Sequence, residues 1–166
     1  MAERSTTVRW RDPREGLAAL PSTDGIDYLR MMAAGDIPPA PMAGHIRMQL
    51  VEVERGAVTF HCHPDESHYN PLGTVHGGLV CTLLDSALGC AAHTTLPAGT
   101  GYTSIEIKIN YLRPVTPDSG PLICVGRVTK EGRRVTFAEG EVRDKTGRAV
   151  ATASGSLLIF PLDTAR

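Results

Sequence analysis

A single carboxylate stands out in the middle of the chain because it interrupts a long apolar run. Residues 79–92 read LVCTLLDSALGCAA, and Asp85 is the acidic residue among them. An unpaired carboxylate inside an apolar element is energetically costly, and such costs concentrate at functional sites. Asp85 is therefore a candidate general base or nucleophile. The alternative is a structural carboxylate that hydrogen-bonds to neighbouring backbone.

Two glycines precede this run, directly after His76. A helix that begins at Gly77-Gly78 presents unpaired N–H groups and the positive end of the helix dipole. Glycine lets a ligand carbonyl approach these groups closely, and an oxygen that gains negative charge during acyl transfer is stabilised there. The alternative is that the glycines only permit a tight turn from loop to helix.

The spacing of the two candidates predicts how they must cooperate. Eight residues separate Gly77 from Asp85, which is about 12 Å of rise along a helix. One carbonyl cannot touch both groups of the same helix. Two helices that lie antiparallel across a two-fold axis remove the conflict, because Gly77 of one subunit then faces Asp85 of the other. If both residues are catalytic, the protein is at least a dimer.

The elements that position these residues follow from hydrophobic periodicity. From Leu79 onward apolar residues cover roughly two-thirds of a helical wheel, which indicates a helix wrapped by other structure. Thr82, Asp85, Ser86, Gly89 and His93 form its polar stripe, and His93 is expected to meet the terminal carbonyls. Stretches of strand character flank the helix at residues 45–54, 57–63, 103–111, 121–131, 133–143 and 148–160.

The strand after the helix alternates most clearly. Thr103, Ile105, Ile107, Ile109 and Tyr111 share the face predicted to meet the helix, and the residues between them share the other. The pattern predicts an α+β fold with five or six antiparallel strands wrapped around one long helix. A short helix is predicted from Asp24. We expect residues 1–40 to form an N-terminal arm with this helix, and residues 41–166 to form one domain.

Bulk composition narrows the function classes. The chain is 42% hydrophobic and 21% charged, with a formal net charge of −1, which argues against nucleic acid or an anionic membrane as the main partner. Four cysteines lack zinc-type spacing, and neither a signal-peptide core nor a membrane-spanning run is present. The expectation is a soluble cytoplasmic protein. HCHPDESH at 61–68 could pair His61 with His63 on a metal, but Pro64 interrupts the strand, so no metal is expected.

The stretch Asn70-Pro-Leu-Gly-Thr-Val-His76-Gly77-Gly78, with Asp85 eight residues beyond Gly77, resembles the motif of hotdog-fold acyl-CoA thioesterases. It is most similar to the phenylacetate-pathway (PaaI-like) group. The resemblance continues through Asn110-Tyr111-Leu-Arg113-Pro114 and covers roughly residues 40–160. It implies the hotdog fold, hydrolysis of an acyl-CoA thioester without a cofactor, and a dimer or a tetramer of two dimers.

The resemblance also implies roles for individual residues. The Gly77 N–H polarises the thioester carbonyl, and Asp85 of the neighbouring subunit activates water or attacks directly. Asn70 orients the water or the thioester, and His76 orders the loop or lies near the thioester sulfur. A hydroxyl residue of the next strand helps to hold the water: alignment back from Tyr111 favours Ser104, whereas strand parity favours Thr103.

Substrate contacts are less specific in the sequence. Gly78 and Leu79 lie beside the expected carbonyl site, and Arg113 and the pair Arg133-Arg134 are candidates for the CoA phosphates. The flank Leu79, Leu83 and Leu84, together with Met31, Met32 and Ile37, is expected to line the acyl pocket. Two alternatives stay open: an acyl-CoA-binding protein without catalysis, and an acyl-thioester dehydratase or hydratase.

Overall fold

The computed structural model describes residues 3–162. Within this range short helices precede the sheet, and one long helix follows its first hairpin. The helices are α1 (Arg14–Leu17), α2 (Gly25–Ala34), α3 (Pro41–Ile46) and α4 (Gly77–His93). The strands are β1 (Met48–Glu54), β2 (Ala57–Cys62), β3 (Thr100–Tyr111), β4 (Leu122–Lys130), β5 (Val135–Arg143) and β6 (Ala149–Pro161). Single 3₁₀ turns occur at Glu66–His68 and Pro117–Ser119.

The six strands form one antiparallel sheet in the order β1-β2-β4-β5-β6-β3. Short connections join β1 to β2, β4 to β5 and β5 to β6. The first contains Gly56 with φ 76°, a conformation that glycine adopts without strain. The sheet curls around α4, which contacts five of its strands. The predicted hotdog fold is confirmed, together with the short N-terminal helix α2.

Helix α4 is buried because the strands can approach it closely. Leu83, Leu84 and Ala87 are completely inaccessible to solvent. Glycines on three strands face the helix: a Cβ on Gly126 would overlap the carbonyl oxygen of Ala87, and a Cβ on Gly140 would lie 2.6 Å from a methyl group of Leu88. Strand alternation thus supplies the apolar inner face, and these glycines set its distance from the helix.

Strand β3 departs from the predicted parity. The register with β6 shifts between Ser104 and Glu106, so that Ile105 is an unpaired bulge residue. Tyr102 and Ser104 therefore face α4 before the bulge, and Ile107 and Ile109 face it afterwards. The prediction that Thr103 and Ile105 meet the helix is wrong, because one extra residue exchanges the two faces.

The segment before β1 is helical where a strand was expected. Residues 45 and 46 belong to α3, and Arg47, with φ 54°, follows the helix as its C-cap, so the predicted strand start at residue 45 is wrong. Helix α2 is followed by Gly35 with φ 88°, a left-handed conformation that ends helices, and the helix packs against β1 and α4. The boundary at residue 40 stays a prediction. In residues 3–162 no helix combines the length and the apolar character needed to cross a membrane.

Candidate active site

The start of α4 presents one free backbone donor. His76 occupies the position before the helix with an extended backbone (φ −61°, ψ 133°), and its Nδ1 accepts the N–H of Gly78 at 2.8 Å. The N–H of Gly77 has no acceptor among residues 3–162. Since Nδ1 accepts, the neutral imidazole of His76 carries its proton on Nε2. His76 thus uses up the Gly78 donor and leaves Gly77 available to a ligand.

Asn70 organises the loop that leads to this helix. Its Oδ1 accepts the N–H groups of Leu72 at 2.9 Å and Thr74 at 3.3 Å, and its Nδ2 donates to the Thr74 hydroxyl at 2.9 Å. The backbone N–H of Asn70 also donates to the carbonyl of Thr74 at 2.8 Å. The side chain therefore closes the loop 70–74 on itself and fixes the approach of the chain to His76.

A cavity of about 280 Å³ lies over the Gly77 end of α4. The Tyr111 hydroxyl donates to the Gly77 carbonyl at 3.0 Å, and desolvation raises the pKa of Tyr111. Arg113 lines this cavity, and one of its Nη groups donates to the carbonyl of Ala149 at 2.6 Å. Arg134 is exposed between β4 and β5 and lines neither this cavity nor the one at Asp85.

Asp85 lies on the stripe of α4 that faces β3. It is half-buried, and the Ser104 hydroxyl donates to its Oδ1 at 2.6 Å. The short distance is typical of a charge-assisted hydrogen bond. Thr103 is exposed on the other face of β3. The structure therefore brings Ser104, and not Thr103, to the carboxylate.

Asp85 and Ser104 open into a second cavity of about 320 Å³. The segment before β1 supplies much of its wall. Of the residues expected there, Met32 lines the cavity, whereas Met31 and Ile37 do not. Leu83 and Leu84 are fully buried in the core instead, and Leu79 is 6% exposed. The lining residues are Leu20, Tyr28, Leu29, Met32, Pro39, Ala40, Ala43, Met48, Leu50, Phe60, Asp85, Ser86, Cys90, His93, Tyr102 and Ser104.

Polar groups gather where α4 ends beside this cavity. The ring of His93 lies between those of Tyr28 and Tyr102, with ring centroids 5.4 Å away in both cases. Burial lowers the pKa of His93 to about 4 and raises the pKa of Cys90 to about 12. His93 was expected to contact the terminal carbonyls of the helix, but its ring lines the cavity instead. Its place on the polar stripe was the signal for this role.

The candidate metal residues serve local structure. Asp65 accepts from the N–H of Ser67 at 3.0 Å, and Arg47 and His68 also contact it. The Nε2 of His68 lies 2.9 Å from the carbonyl oxygen of His45. Across residues 3–162 no group of three or more His, Cys, Asp or Glu side chains is arranged to hold a metal ion.

Each chain thus carries two separate candidate groups on one helix. A free amide lies in one cavity and a carboxylate with its hydroxyl partner lies in the other, and within the described range 3–162 no residue lines both cavities. An amide donor and a carboxylate are the groups that acyl hydrolysis requires. Together with the hotdog sheet they define the class, a hotdog-fold protein with groups for chemistry at an acyl carbonyl.

Comparison with known proteins identifies the family. The model of the thioesterase superfamily matches residues 72–151. "Putative esterase SSO2140" of Saccharolobus solfataricus is 31% identical over 113 residues, which cover 68% of this chain and 79% of that protein. Human acyl-coenzyme A thioesterase 13 is 29% identical over 106 residues, which cover 63% and 74% of the two chains.

A solved structure agrees with the sequence relatives. It is described as a putative thioesterase, a phenylacetic acid degradation-related protein from Ralstonia eutropha; it is 26% identical, has a TM-score of 0.73, and the match covers 79% of this chain and 98% of that one. The chain belongs to the thioesterase superfamily. The predicted family is confirmed, and with it the assignment of the chain to the thioester hydrolases.

Proposed function

We propose that this chain hydrolyses acyl thioesters of coenzyme A to a free acid and CoA, at two equal sites that two subunits share. One observation carries the proposal: the free Gly77 N–H and the Asp85–Ser104 pair lie at separate cavities along α4. Since one helix cannot bring both groups to one carbonyl, a second copy supplies the missing half of each site.

The reaction follows from what each group can donate or accept. The Gly77 N–H of one subunit hydrogen-bonds to the thioester oxygen and stabilises its developing negative charge. Asp85 of the other subunit takes a proton from water as the water oxygen bonds to the carbonyl carbon. Collapse of the tetrahedral intermediate breaks the C–S bond, and the thiolate leaves and takes up a proton. Direct attack by Asp85, through a mixed anhydride, is the alternative route.

Neighbouring residues hold these groups in position. Ser104 fixes the orientation of Asp85 through the 2.6 Å hydrogen bond. His76 and Asn70 hold the loop so that the Gly77 donor points to the ligand. Asn70 lines neither the Gly77 cavity nor the Asp85 cavity, and its remaining amide N–H is proposed to orient the thioester or the water. Gly78 is not a donor to the ligand, because its N–H is already bound to His76. Its proposed role is to let the ligand approach the backbone closely.

The two cavities divide the substrate between them. The larger, mostly apolar cavity at Asp85 accepts the acyl group, and Leu79 stays a predicted contact on the helix flank. The cavity at Gly77 receives the thioester end of CoA, where Arg113 has further N–H groups for its polar atoms. Arg134, exposed on its loop, is proposed for the phosphates.

Strand β3 provides the surface for assembly. It is an edge strand that pairs with β6 on one side only within the described chain. Pairing of β3 with β3 of a second subunit continues the sheet and sets two α4 helices side by side, and two such dimers form a tetramer. A stable monomer in light scattering at assay concentration contradicts this assembly.

A panel of acyl-CoAs, assayed by thiol release with wild type and Asp85→Asn, tests the activity. The proposal predicts turnover by wild type, and a loss of most of the rate in Asp85→Asn with product binding retained. Binding without turnover indicates a non-catalytic acyl-CoA-binding protein. Conversion without thiol release, with a change in acyl conjugation, indicates a dehydratase or hydratase.

Mixing two inactive variants tests the shared site. Asp85→Asn retains the Gly77 donor, and Gly77→Pro retains Asp85 but lacks the donor. A mixed dimer has one intact and one doubly impaired site, so random exchange of subunits restores about a quarter of wild-type activity. If each site lies within one subunit, mixing restores no activity. Each variant taken alone through the same exchange procedure is the control.

A further inference from the structure

The imidazole of His93 is a largely buried ring whose nitrogens still reach open space, because among residues 3–162 no fully enclosed side-chain nitrogen or oxygen lacks a hydrogen-bond partner. Its residue is 7% exposed, and neither ring nitrogen bonds to another of the residues 3–162. Because His93 lines the Asp85 cavity and its nitrogens are accessible, they are available to a group that fills that cavity. At neutral pH the ring is uncharged, since burial lowers the pKa of His93 to about 4. It therefore presents one donor and one acceptor.

His93 lies at the end of the cavity that the distal end of the acyl group reaches. It lies eight residues beyond Asp85 on α4, which is about 12 Å along the helix. An acyl group whose thioester carbonyl lies at Asp85 therefore approaches His93 with its distal end.

The ring is also held in one orientation. Tyr28 and Tyr102 flank it, and Gly25 packs so closely that a Cβ there would lie 2.6 Å from the ring atom Cδ2. These contacts restrict rotation of the ring away from the cavity.

We infer that the His93 end of this cavity binds an uncharged hydrogen-bonding group, a hydroxyl or a ketone, at the distal end of the acyl chain. The inference rests on the proposed function and names its substrate class. A plain alkyl end covers the accessible His93 nitrogens without offering them a partner, and a site whose polar groups become buried and unpaired on binding discriminates against such an analogue. A carboxylate end is excluded as well, because no Lys or Arg of residues 3–162 lines the cavity to compensate a buried negative charge.

The test compares three acyl-CoAs of equal chain length: octanoyl-CoA, ω-hydroxyoctanoyl-CoA and the ω-carboxy analogue. The same three end groups on hexanoyl and decanoyl chains vary the distance between the thioester and the distal group. At the length that fits best, kcat/KM for the ω-hydroxy substrate is expected to exceed that for the plain chain about tenfold, which corresponds to about 1.4 kcal/mol. The ω-carboxy substrate is expected to be the slowest of the three.

Variants connect the preference to His93. His93→Phe fills a similar space without polar atoms, and we expect it to abolish the preference for the hydroxyl group. His93→Gln keeps a donor and an acceptor and is expected to retain most of it. Met32→Leu, on the wall of the same cavity, is the matched control and should change both rates by a common factor, so that their ratio stays that of wild type.

The outcomes separate the inference from the proposed function. Equal kcat/KM for plain and ω-hydroxy chains at every length, with thiol release intact, overturns the inference and leaves the hydrolase standing. Absence of thiol release from every substrate overturns the hydrolase, and calorimetric Kd values for the same pair then decide the inference, with equal Kd values against it. The comparison in wild type decides the question even where His93→Phe does not fold.

Discussion

Replacement of Gly77 by proline removes the free donor at the start of α4 while the helix is expected to remain. Proline is well accommodated at the first helical position, where the N–H has no partner within the helix. The preceding residue, His76, has ψ 133°, which is compatible with a following proline. Gly77→Pro therefore comes close to deleting a single hydrogen-bond donor from the proposed site.

The expected loss is large. Removal of one donor to an oxyanion lowers kcat about 100- to 1,000-fold, or about 2.7 to 4 kcal/mol. Steric change is the competing cause, because a Cβ on residue 77 would lie 3.2 Å from Cζ of Tyr111 and the ring must move by a few tenths of an ångström. Gly77→Ala adds the same carbon but keeps the N–H, so it is the matched control and should stay within about tenfold of wild type.

Thiol release at saturating acyl-CoA gives kcat for wild type and both variants, and thermal unfolding reports the fold. We expect a large loss of kcat in Gly77→Pro, a small loss in Gly77→Ala and similar melting temperatures for all three proteins. Equal losses in both variants refute it, because crowding at Tyr111 would then explain the effect. Near wild-type kcat in Gly77→Pro refutes it as well, since the N–H would not contribute to catalysis.

Four further predictions concern other parts of the molecule. Ser104→Ala should lower kcat by roughly 10- to 100-fold, because it removes a hydrogen bond to a charged group, whereas Thr103→Ala, on the exposed face, should leave the rate unchanged in the same assay. Asn70→Ala should reduce turnover more than the melting temperature, since it loosens a surface loop and not the core; equal effects on both would contradict this. Gly126→Ala should destabilise the fold by at least about 1 kcal/mol in urea denaturation, because the new methyl group overlaps the helix backbone. For His93, whose pKa is lowered from 6.5 to about 4, the unfolded state binds the proton first as pH falls, so the free energy of unfolding should rise with pH across this window by up to about 3 kcal/mol. The slope should be weaker in His93→Phe, and an unchanged slope would contradict the assignment.

Much of the fold could be predicted because it depends on local periodicity. The apolar wheel from Leu79 to Ala92 predicts a wrapped helix, and the structure buries it on nearly every side. Alternation and turn residues likewise predict the hairpins of the sheet. These signals lie within a few residues of each other, so the amino-acid types alone carry them.

The bulge in β3 could not be predicted in this way. Strict alternation predicts Thr103 on the helix face, whereas the shift at Ile105 brings Ser104 to Asp85. A bulge depends on how β3 pairs with β6 and packs against α4 at the same time. The residue pattern of a single strand does not encode these contacts.

The sequence by itself determined the family, the long helix and the two groups that could act on an acyl carbonyl. Only the tertiary structure decided which hydroxyl meets Asp85 and which side chains line its cavity. Tyr28 and Met32 reach this cavity across more than 50 residues of chain, and His93 turns into it because α2 and β3 flank its ring. Contacts of this kind arise from the packing of elements distant in sequence, and no local pattern of residues encodes them.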